Sequence, residues 1–191
     1  MEKYNFGADD SYLLKENILQ IDNVVDLQKA EQYTFLVRAL EVSQGKFQIP
    51  SFNLAGLQAL HAYLFQDIYT FAGEIRSVQL TKGQTRFCQV LYIASEAERL
   101  FAEMQKEGEW PTKEYAALRL AYFKAELNML HPFREGNGRS IRIFVHAYAQ
   151  SKGYEWHYEH LQQDTYLRAM IQSVVTSDEL QQLFYNTIQK I

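Results

Sequence analysis

The segment from residue 115 to residue 130 carries apolar side chains on nearly every face. Such a pattern is typical of a helix buried at the centre of a helical bundle. The segment runs into His131-Pro132, and a proline disfavours the α conformation of the residue before it, so we expect the helix to end near Leu130. Apolar periodicity predicts further helices within residues 27–40, 53–68, 94–104, 139–151, 164–174 and 178–188. The predicted fold class is therefore all-α.

One segment departs from the helical pattern. Residues 75–80 alternate apolar and polar side chains with a period of two, and residues 85–88 could pair with them across a turn at 81–84. Gly83 can supply the positive φ that a tight turn needs. We therefore predict a small β-hairpin whose open edge packs on helices or receives another chain.

Composition narrows the classes of partner. The chain has 191 residues, which suits one compact unit, and 19 Lys and Arg against 23 Asp and Glu give a net charge of −4. Without a broad basic surface, direct nucleic-acid binding is not expected. The sequence offers neither an apolar signal region at its start nor a stretch long enough to span a bilayer, so we expect a cytoplasmic protein with no membrane partner.

The run from His131 to Arg142 concentrates polar chemistry between two predicted helices. Gly136 and Gly138 flank Asn137, so three successive N–H groups can converge on an anion. Arg139 and Arg142 follow three residues apart on one face of the next helix, at the end where its dipole disfavours cations. A polyphosphate between the two arginines explains that arrangement.

The same run offers two further groups suited to phosphate chemistry. Glu135 can supply a hard oxygen ligand to Mg²⁺, which phosphates commonly bring. His131 can act as a general base, and Phe133 is expected to anchor the loop in the core. Each residue alone has an ordinary structural explanation, but the combination within one loop–helix junction favours a nucleotide site.

This run resembles the signature of Fic-domain proteins, His-x-Phe-x-(Asp/Glu)-Gly-Asn-Gly-Arg-x-x-Arg, at every specified position. The likeness extends over roughly residue 50 to the C-terminus and weakly back to residues 12–17. It implies a Fic fold, a helical bundle with a small hairpin flap over the active site. We accordingly divide the chain into an N-terminal helical extension, 1–49, and a Fic domain with C-terminal helices, 50–191, packed as a single compact unit.

The resemblance also implies a bacterial protein adenylyltransferase that moves AMP from ATP, with Mg²⁺, to a Tyr, Ser or Thr hydroxyl of a target protein. It implies that His131 is the base, Glu135 the metal ligand and Arg142 the γ-phosphate ligand. The other implied ATP contacts are Gly136, Asn137, Gly138, Arg139, Asn128, Lys82, Gly83 and Leu167. The implied flap, which aligns the target by strand addition, comprises Val78, Gln79, Leu80, Thr81, Lys82, Gly83 and Gln84.

The resemblance also has an implication for how the activity is regulated. Many Fic proteins carry an inhibitory (Ser/Thr)-x-x-x-Glu-(Gly/Asn) segment, and no such segment occurs in this sequence. The chain therefore resembles the toxins that are restrained by a separate small antitoxin, whose glutamate would contact Arg142. By the same resemblance, type II topoisomerase subunits are candidate targets.

Two alternatives stay open at this stage. The first is a Fic-type kinase or another nucleotidyl or phosphoryl transferase, although Gly138 and the two arginines favour AMP transfer. The second is a non-catalytic protein-binding module that uses the hairpin edge, against which the complete motif argues.

Overall fold

The computed structural model describes residues 11–83 and 85–191. The described chain is mostly helical, as predicted, with two short antiparallel strand pairs. The helices are α1 (Ser11–Lys15), α2 (Val24–Ser43), α3 (Leu54–Phe65), α4 (Ile93–Lys106), α5 (Lys113–Leu130), α6 (Asn137–Ser151), α7 (Gln163–Gln172) and α8 (Asp178–Thr187). The strands are β1 (Thr81–Lys82), β2 (Thr85–Arg86), β3 (Tyr154–Trp156) and β4 (Ile188–Lys190), and single 3₁₀ turns cover Val90–Tyr92 and Tyr158–His160.

Helix α5 is the buried central helix that the sequence predicts. Thr112 caps its first turn, and Leu120, Phe123 and Leu127 are fully buried. It packs against α4, α6 and α8, and its last residue leads directly into the polar run. The central position of α5 therefore fixes where that run begins.

Helix α3 starts where the sequence indicates. The side chain of Asn53 accepts a hydrogen bond from the N–H of Gly56 at 2.9 Å, which is an N-cap interaction. The buried face of α3 contributes His61, Leu64 and Phe65, and the helix packs against α2, α4 and α6. Through these residues α3 supports the loop that follows α5.

Helix α2 forms as predicted, and only some of its apolar side chains face the core. Tyr33, Leu36 and Leu40 are largely exposed. The buried residues are Leu27, Glu31 and Phe35, spaced four apart on one side of the helix. Glu31 on this side of the helix contacts Arg139 of the polar run.

The predicted hairpin exists but is shorter than expected. Residues 75–80 form no strand, and Thr81 and Lys82, expected in the turn, form β1 and pair with Arg86 and Thr85. The reason is Arg76, which is buried and donates to the carbonyl oxygens of His131, Val78 and Cys88 at 2.7, 2.6 and 2.5 Å. These hydrogen bonds of Arg76, rather than those of a strand ladder, fix the position of residues 75–80.

The strand pair β3–β4 is not predicted from the sequence. Trp156 pairs with Ile188 in register, and both are buried. The helical pattern predicted for residues 178–188 therefore continues one residue too far, since Ile188 begins β4. Within residues 11–83 and 85–191, no helix combines the length and apolarity needed to cross a bilayer.

Candidate functional site

The polar run begins with a tight turn at the end of α5. His131 adopts the left-handed conformation, with φ of 44°, and its N–H donates to the carbonyl of Leu127 at 3.1 Å. Phe133 is fully buried and stacks on His61 with ring centroids 3.8 Å apart. Asn137 closes the loop, because its side-chain amide donates to the carbonyl of Phe133 and accepts from its N–H, both at 2.8 Å. Phe133 thus anchors the loop, as the sequence predicts.

His131 is held in one tautomer. Its Nδ1 lies 2.9 Å from the carbonyl oxygen of Asn128, and because a carbonyl only accepts, Nδ1 carries the proton. The lone pair then resides on Nε2. Burial, and to a smaller extent the positive charges of Arg76, Lys82 and Lys124, lowers the pKa of His131 to about 3, so the ring is neutral near pH 7.

Gly136 is required where the chain turns into α6. Its φ is +76°, and a Cβ there would lie 2.4 Å from Cζ of Phe65. On the other side of the loop, His61 donates from Nε2 to the carbonyl of Glu135 at 2.9 Å and accepts at Nδ1 from the N–H of Gly73 at 2.8 Å. Burial lowers the pKa of His61 to about 4, so this support is a neutral imidazole.

Gly138 has the opposite surroundings. It is exposed, and a Cβ added there would meet no heavy atom within 4 Å. The start of α6 therefore opens onto unfilled space beside Gly138, and the N–H groups of residues 136–138, called the cup below, lie at the positive end of the helix dipole. The side chain of Asn137 is committed to the loop, so only its backbone N–H is suited to bind an anion. The predicted anion site at Gly136, Asn137 and Gly138 lies at this end of α6.

Arg139 lies between two carboxylates. Its Nη2 is 2.5 Å from Oε1 of Glu31 and 3.6 Å from Oε1 of Glu135. The guanidinium carbon lies 5.1 Å from the ring centre of Phe35 and 4.9 Å from that of Phe65. Glu135 also accepts from the N–H of Gly136 at 3.0 Å. The two acids, the arginine and the cup thus form one polar cluster.

Arg142 has a different environment, one helical turn further along α6. Its guanidinium lies 5.4 Å from the ring centre of Tyr158, and its Nε is buried without a hydrogen-bond partner among the described atoms. Among residues 11–83 and 85–191, no carboxylate lies within ion-pair distance of it. The positive charge of Arg142 also contributes to lowering the pKa of Lys124 to about 7, after burial as the main cause. Two cations that have no counter-charge within the described chain favour an anion at this point.

The hairpin supplies part of the predicted flap. Lys82 lies in β1, and Gly83 is exposed with φ of +56°, as a turn glycine should be. Leu80 is buried and the side chain of Gln79 bonds the carbonyl of Phe87 at 2.9 Å, so these two support the hairpin from inside. Val78 is exposed. Gln84, the last predicted flap residue, lies outside the described residues.

Phe87 joins the hairpin to the base. Its ring stacks on His131 with centroids 3.7 Å apart, and both side chains are buried. The remaining predicted contacts are Asn128, whose carbonyl orients His131, and Leu167, which lies exposed on α7. The structure does not connect Leu167 to the cluster through any polar contact between described residues.

Three residues in the cluster were missed from the sequence. Glu31 and Tyr69 lie outside the signature run, and the hydroxyl of Tyr69 donates to Oε2 of Glu31. Lys124 is fully buried in helix α5, where its charge contributes to lowering the pKa of His131. Helical periodicity places Glu31 and Lys124 among buried positions of α2 and α5. A charged residue at such a position is a signal that the sequence could have given.

The arrangement combines a neutral imidazole, an open cup of backbone N–H groups, a carboxylate and two arginines. Together these groups can bind a phosphate chain, hold a divalent cation and accept a proton beside it. Among the described side chains, no three potential metal ligands of the His, Cys, Asp or Glu type converge. Any cation would thus be held largely by its own phosphate ligands.

Two known proteins are similar in sequence to this chain over most of its length. The probable protein adenylyltransferase y4lH of Sinorhizobium fredii is 38% identical over 162 residues, which cover 82% of this chain and 81% of that protein. Protein adenylyltransferase VbhT of Bartonella schoenbuchensis is 30% identical over 188 residues, which cover 94% of this chain and 39% of that protein.

Solved structures agree on the fold. BepC of Bartonella tribocorum, crystallised with AMPPNP, superposes with a TM-score of 0.83 at 20% identity, over 97% of this chain and all of that chain. The Fic/DOC family matches residues 51–149, which contain α3, the hairpin, the polar run and nearly all of α6. This chain belongs to the Fic/DOC family.

Proposed function

We propose that this chain is a protein adenylyltransferase, which transfers AMP from ATP to a hydroxyl group of a target protein. The observation that supports the proposal is that one short run holds the neutral base His131, the glycine-flanked start of α6 and two arginines, with Arg139 lying 3.6 Å from Glu135. The names of its relatives, protein adenylyltransferases in Sinorhizobium and Bartonella, support the same activity.

The base step follows from the tautomer of His131. With Nδ1–H bonded to Asn128, the Nε2 lone pair accepts the proton of a Tyr, Ser or Thr hydroxyl. The hydroxyl oxygen attacks the α-phosphorus of ATP, the bond to the β-phosphate oxygen breaks, and pyrophosphate leaves. The proton stays on Nε2 until solvent removes it.

The cup and the arginines provide positioning and charge neutralisation, on which phosphoryl-type transfers mainly depend. Backbone N–H groups at Gly136, Asn137 and Gly138 bind phosphate oxygens, and Arg139 binds the β-phosphate region. Arg142, whose Nε has no partner among the described atoms, binds the γ-phosphate. Asn128 and Leu167 border the nucleoside.

Mg²⁺ fits the same site through Glu135. This side chain is 15% exposed and its carboxylate lies at the edge of the cup. Mg²⁺ is usually bound by one or two carboxylates together with substrate phosphates and water, so a single acid suffices here. When bound, the ion neutralises charge that builds up on the phosphates.

The flap binds the target chain. Val78 and Thr81 to Gly83 present a short edge to which an extended peptide can add as a strand. Lys82 and Gly83 cover the nucleotide from the same hairpin. This arrangement brings a hydroxyl on the added strand toward His131, whose ring lies under Phe87.

Regulation by a separate antitoxin-like protein completes the proposal. Its glutamate would pair with Arg142, which lacks a carboxylate partner within the described chain. A groove of about 520 Å³ between the end of α2 and α6 reaches Tyr158, the ring next to Arg142, and could receive a helix of the partner. In this role the chain is the toxin of a bacterial toxin–antitoxin pair, acting in the cytoplasm, with type II topoisomerase subunits as candidate targets.

Labelled ATP tests the activity directly. Purified protein is incubated with bacterial extract, Mg²⁺ and ATP labelled at the α or the γ phosphate. Transfer of α label to protein, lost in His131→Ala but kept in His160→Ala, an exposed histidine, is the expected result. Transfer of γ label alone would mean a kinase, and stable capture of a partner without any label would mean a binding module.

A further inference from the structure

Glu31 is a buried acid in a site that otherwise gathers cations for phosphate. It projects from α2, outside residues 51–149, and is only 7% exposed. Its Oε1 lies 2.5 Å from Nη2 of Arg139, and its Oε2 accepts from the hydroxyl of Tyr69. Both carboxylate oxygens are thus engaged, one by a cation and one by a neutral donor.

Tyr69 is suited to be that neutral donor. It is 1% exposed, and burial together with the charge of Glu31 raises the pKa of its hydroxyl, which keeps it protonated. The carboxylate of Glu31 therefore keeps a fixed position. A buried acid needs such fixed donors, because an unpaired one would be costly.

Arg139 is the residue that Glu31 constrains. The same atom, Nη2, lies 2.5 Å from Glu31 and 3.6 Å from Glu135. The guanidinium also lies against the rings of Phe35 and Phe65, which stack with centroids 5.8 Å apart. Arg139 thus has two acids within reach and is bonded closely to only one of them.

The competition between the two acids has a consequence for the cation. In a partly buried site a guanidinium pairs with whatever carboxylate it can reach, and such pairs are strong when they are hydrogen-bonded. If Glu31 were neutral, Glu135 would be the nearest acid left for Arg139. A closed Arg139–Glu135 pair would compete directly with Mg²⁺ for the Glu135 carboxylate.

We propose that Glu31 is a positioning residue that takes the close hydrogen bond of Arg139, leaves Glu135 at 3.6 Å from that guanidinium, and so favours binding of Mg²⁺ by the Glu135 carboxylate. This inference rests on the proposed function, because it concerns the cation that accompanies ATP. Through Glu31, helix α2 contributes to the nucleotide site, although α2 precedes the segment that carries the family signature.

The test measures how much Mg²⁺ is needed for ATP binding. ATP binding is followed by calorimetry at increasing Mg²⁺ in wild type and in Glu31→Gln, which keeps the shape and removes the charge. We expect the half-maximal Mg²⁺ concentration to rise about tenfold or more, the scale of one charge-assisted hydrogen bond. Tyr69→Phe should shift it in the same direction by less.

Two further variants separate this role from simple support of the fold. Leu27→Ala creates a cavity under the same helix, at a residue that is 2% exposed, and should lower the melting temperature without moving the Mg²⁺ midpoint. Lys29→Gln changes a charge on the same helix at a side chain that is 73% exposed, and should leave both the melting temperature and the Mg²⁺ midpoint unchanged.

The outcomes distinguish the inference from the proposed function. If folded Glu31→Gln has an unchanged Mg²⁺ midpoint, or binds ATP more tightly at every Mg²⁺ concentration, the inference is wrong and the proposed function stands. If wild type fails to bind ATP with Mg²⁺ at all, both are wrong.

Discussion

The ring of His131 donates from Nδ1 to the backbone carbonyl of Asn128 across 2.9 Å. Asn128 lies one helical turn before His131 on α5, so the last turn of the helix itself orients the base. Because His131 directly follows α5 and is bonded to its last turn, the direction of the Nε2 lone pair is set by the fold before any substrate binds.

The first prediction concerns pH. Burial lowers the pKa of His131 to about 3 in the free protein, so the ring is already unprotonated at pH 5. A base that works unprotonated loses activity only as the pH falls toward its pKa, so kcat/KM should have no inflection near 6.5 that is due to His131. A tenfold fall per pH unit beginning below 6.5 in a pH–rate profile would contradict this.

The second prediction compares two neighbouring glycines. Gly136→Ala combines a left-handed φ with a Cβ 2.4 Å from Phe65, and should lower the free energy of unfolding by about 2–5 kcal/mol. Gly138→Ala meets open space, and as a helix substitution should raise that free energy by up to about 1 kcal/mol. Denaturant titration measures both.

For Gly138→Ala, the expected effect on ATP binding is opposite to its expected effect on stability. Gly138→Ala, although stable, should weaken ATP binding because the methyl group enters the cup. If the Gly138→Ala protein binds ATP as wild type does, phosphates do not occupy the cup.

The third prediction concerns Lys124 and stability. Burial lowers the pKa of this lysine from its usual 10.5 to about 7, so the unfolded chain binds its proton more tightly than the folded one does. Stability should therefore rise with pH between about 7 and 10.5, and Lys124→Met should raise the free energy of unfolding at pH 7 by about 2–4 kcal/mol and remove much of that slope.

A matched control replaces a lysine that is exposed to solvent. Lys29, whose side chain is 73% exposed, should change stability little when replaced by Met. If Lys124→Met and Lys29→Met have the same unfolding free energies at pH 7 and pH 9, the buried ammonium does not carry the penalty assigned to it.

The fourth prediction assigns Arg142 to the terminal phosphate. Arg142→Ala should weaken ATP binding by about 10- to 100-fold, the scale of one or two charge-assisted hydrogen bonds, and leave ADP binding nearly unchanged. Calorimetry with both nucleotides checks it. If Arg142→Ala weakens the binding of ATP and ADP equally, Arg142 contacts the α- or β-phosphate and not the terminal one.

The sequence predicted the parts of this protein that local rules control. Asn53, the first residue of the predicted segment 53–68, caps α3, and α5 ends at Leu130, before His131-Pro132, where expected. The signature run located the cup because glycines at 136 and 138 and arginines at 139 and 142 lie close together along the chain.

Long-range pairing was not predictable in the same way. Glu31 and Arg139 are separated by 108 positions. Nothing near Glu31 in the sequence indicates that Arg139 is its partner. The segment 75–80 has the alternation of a strand, but the buried guanidinium of Arg76 takes up carbonyl groups that a ladder would use. Strands β3 and β4 pair residues that are distant along the chain, such as Trp156 with Ile188, and local periodicity does not encode such pairing.

A crystal structure of the His131→Ala protein with ATP and Mg²⁺ would show where the nucleotide binds. We predict the phosphates over the N–H groups of residues 136–138, the α-phosphate facing position 131, and Arg142 bonded to the terminal phosphate. A structure with the cup empty under saturating nucleotide, or with ATP bound elsewhere on the molecule, would contradict the account.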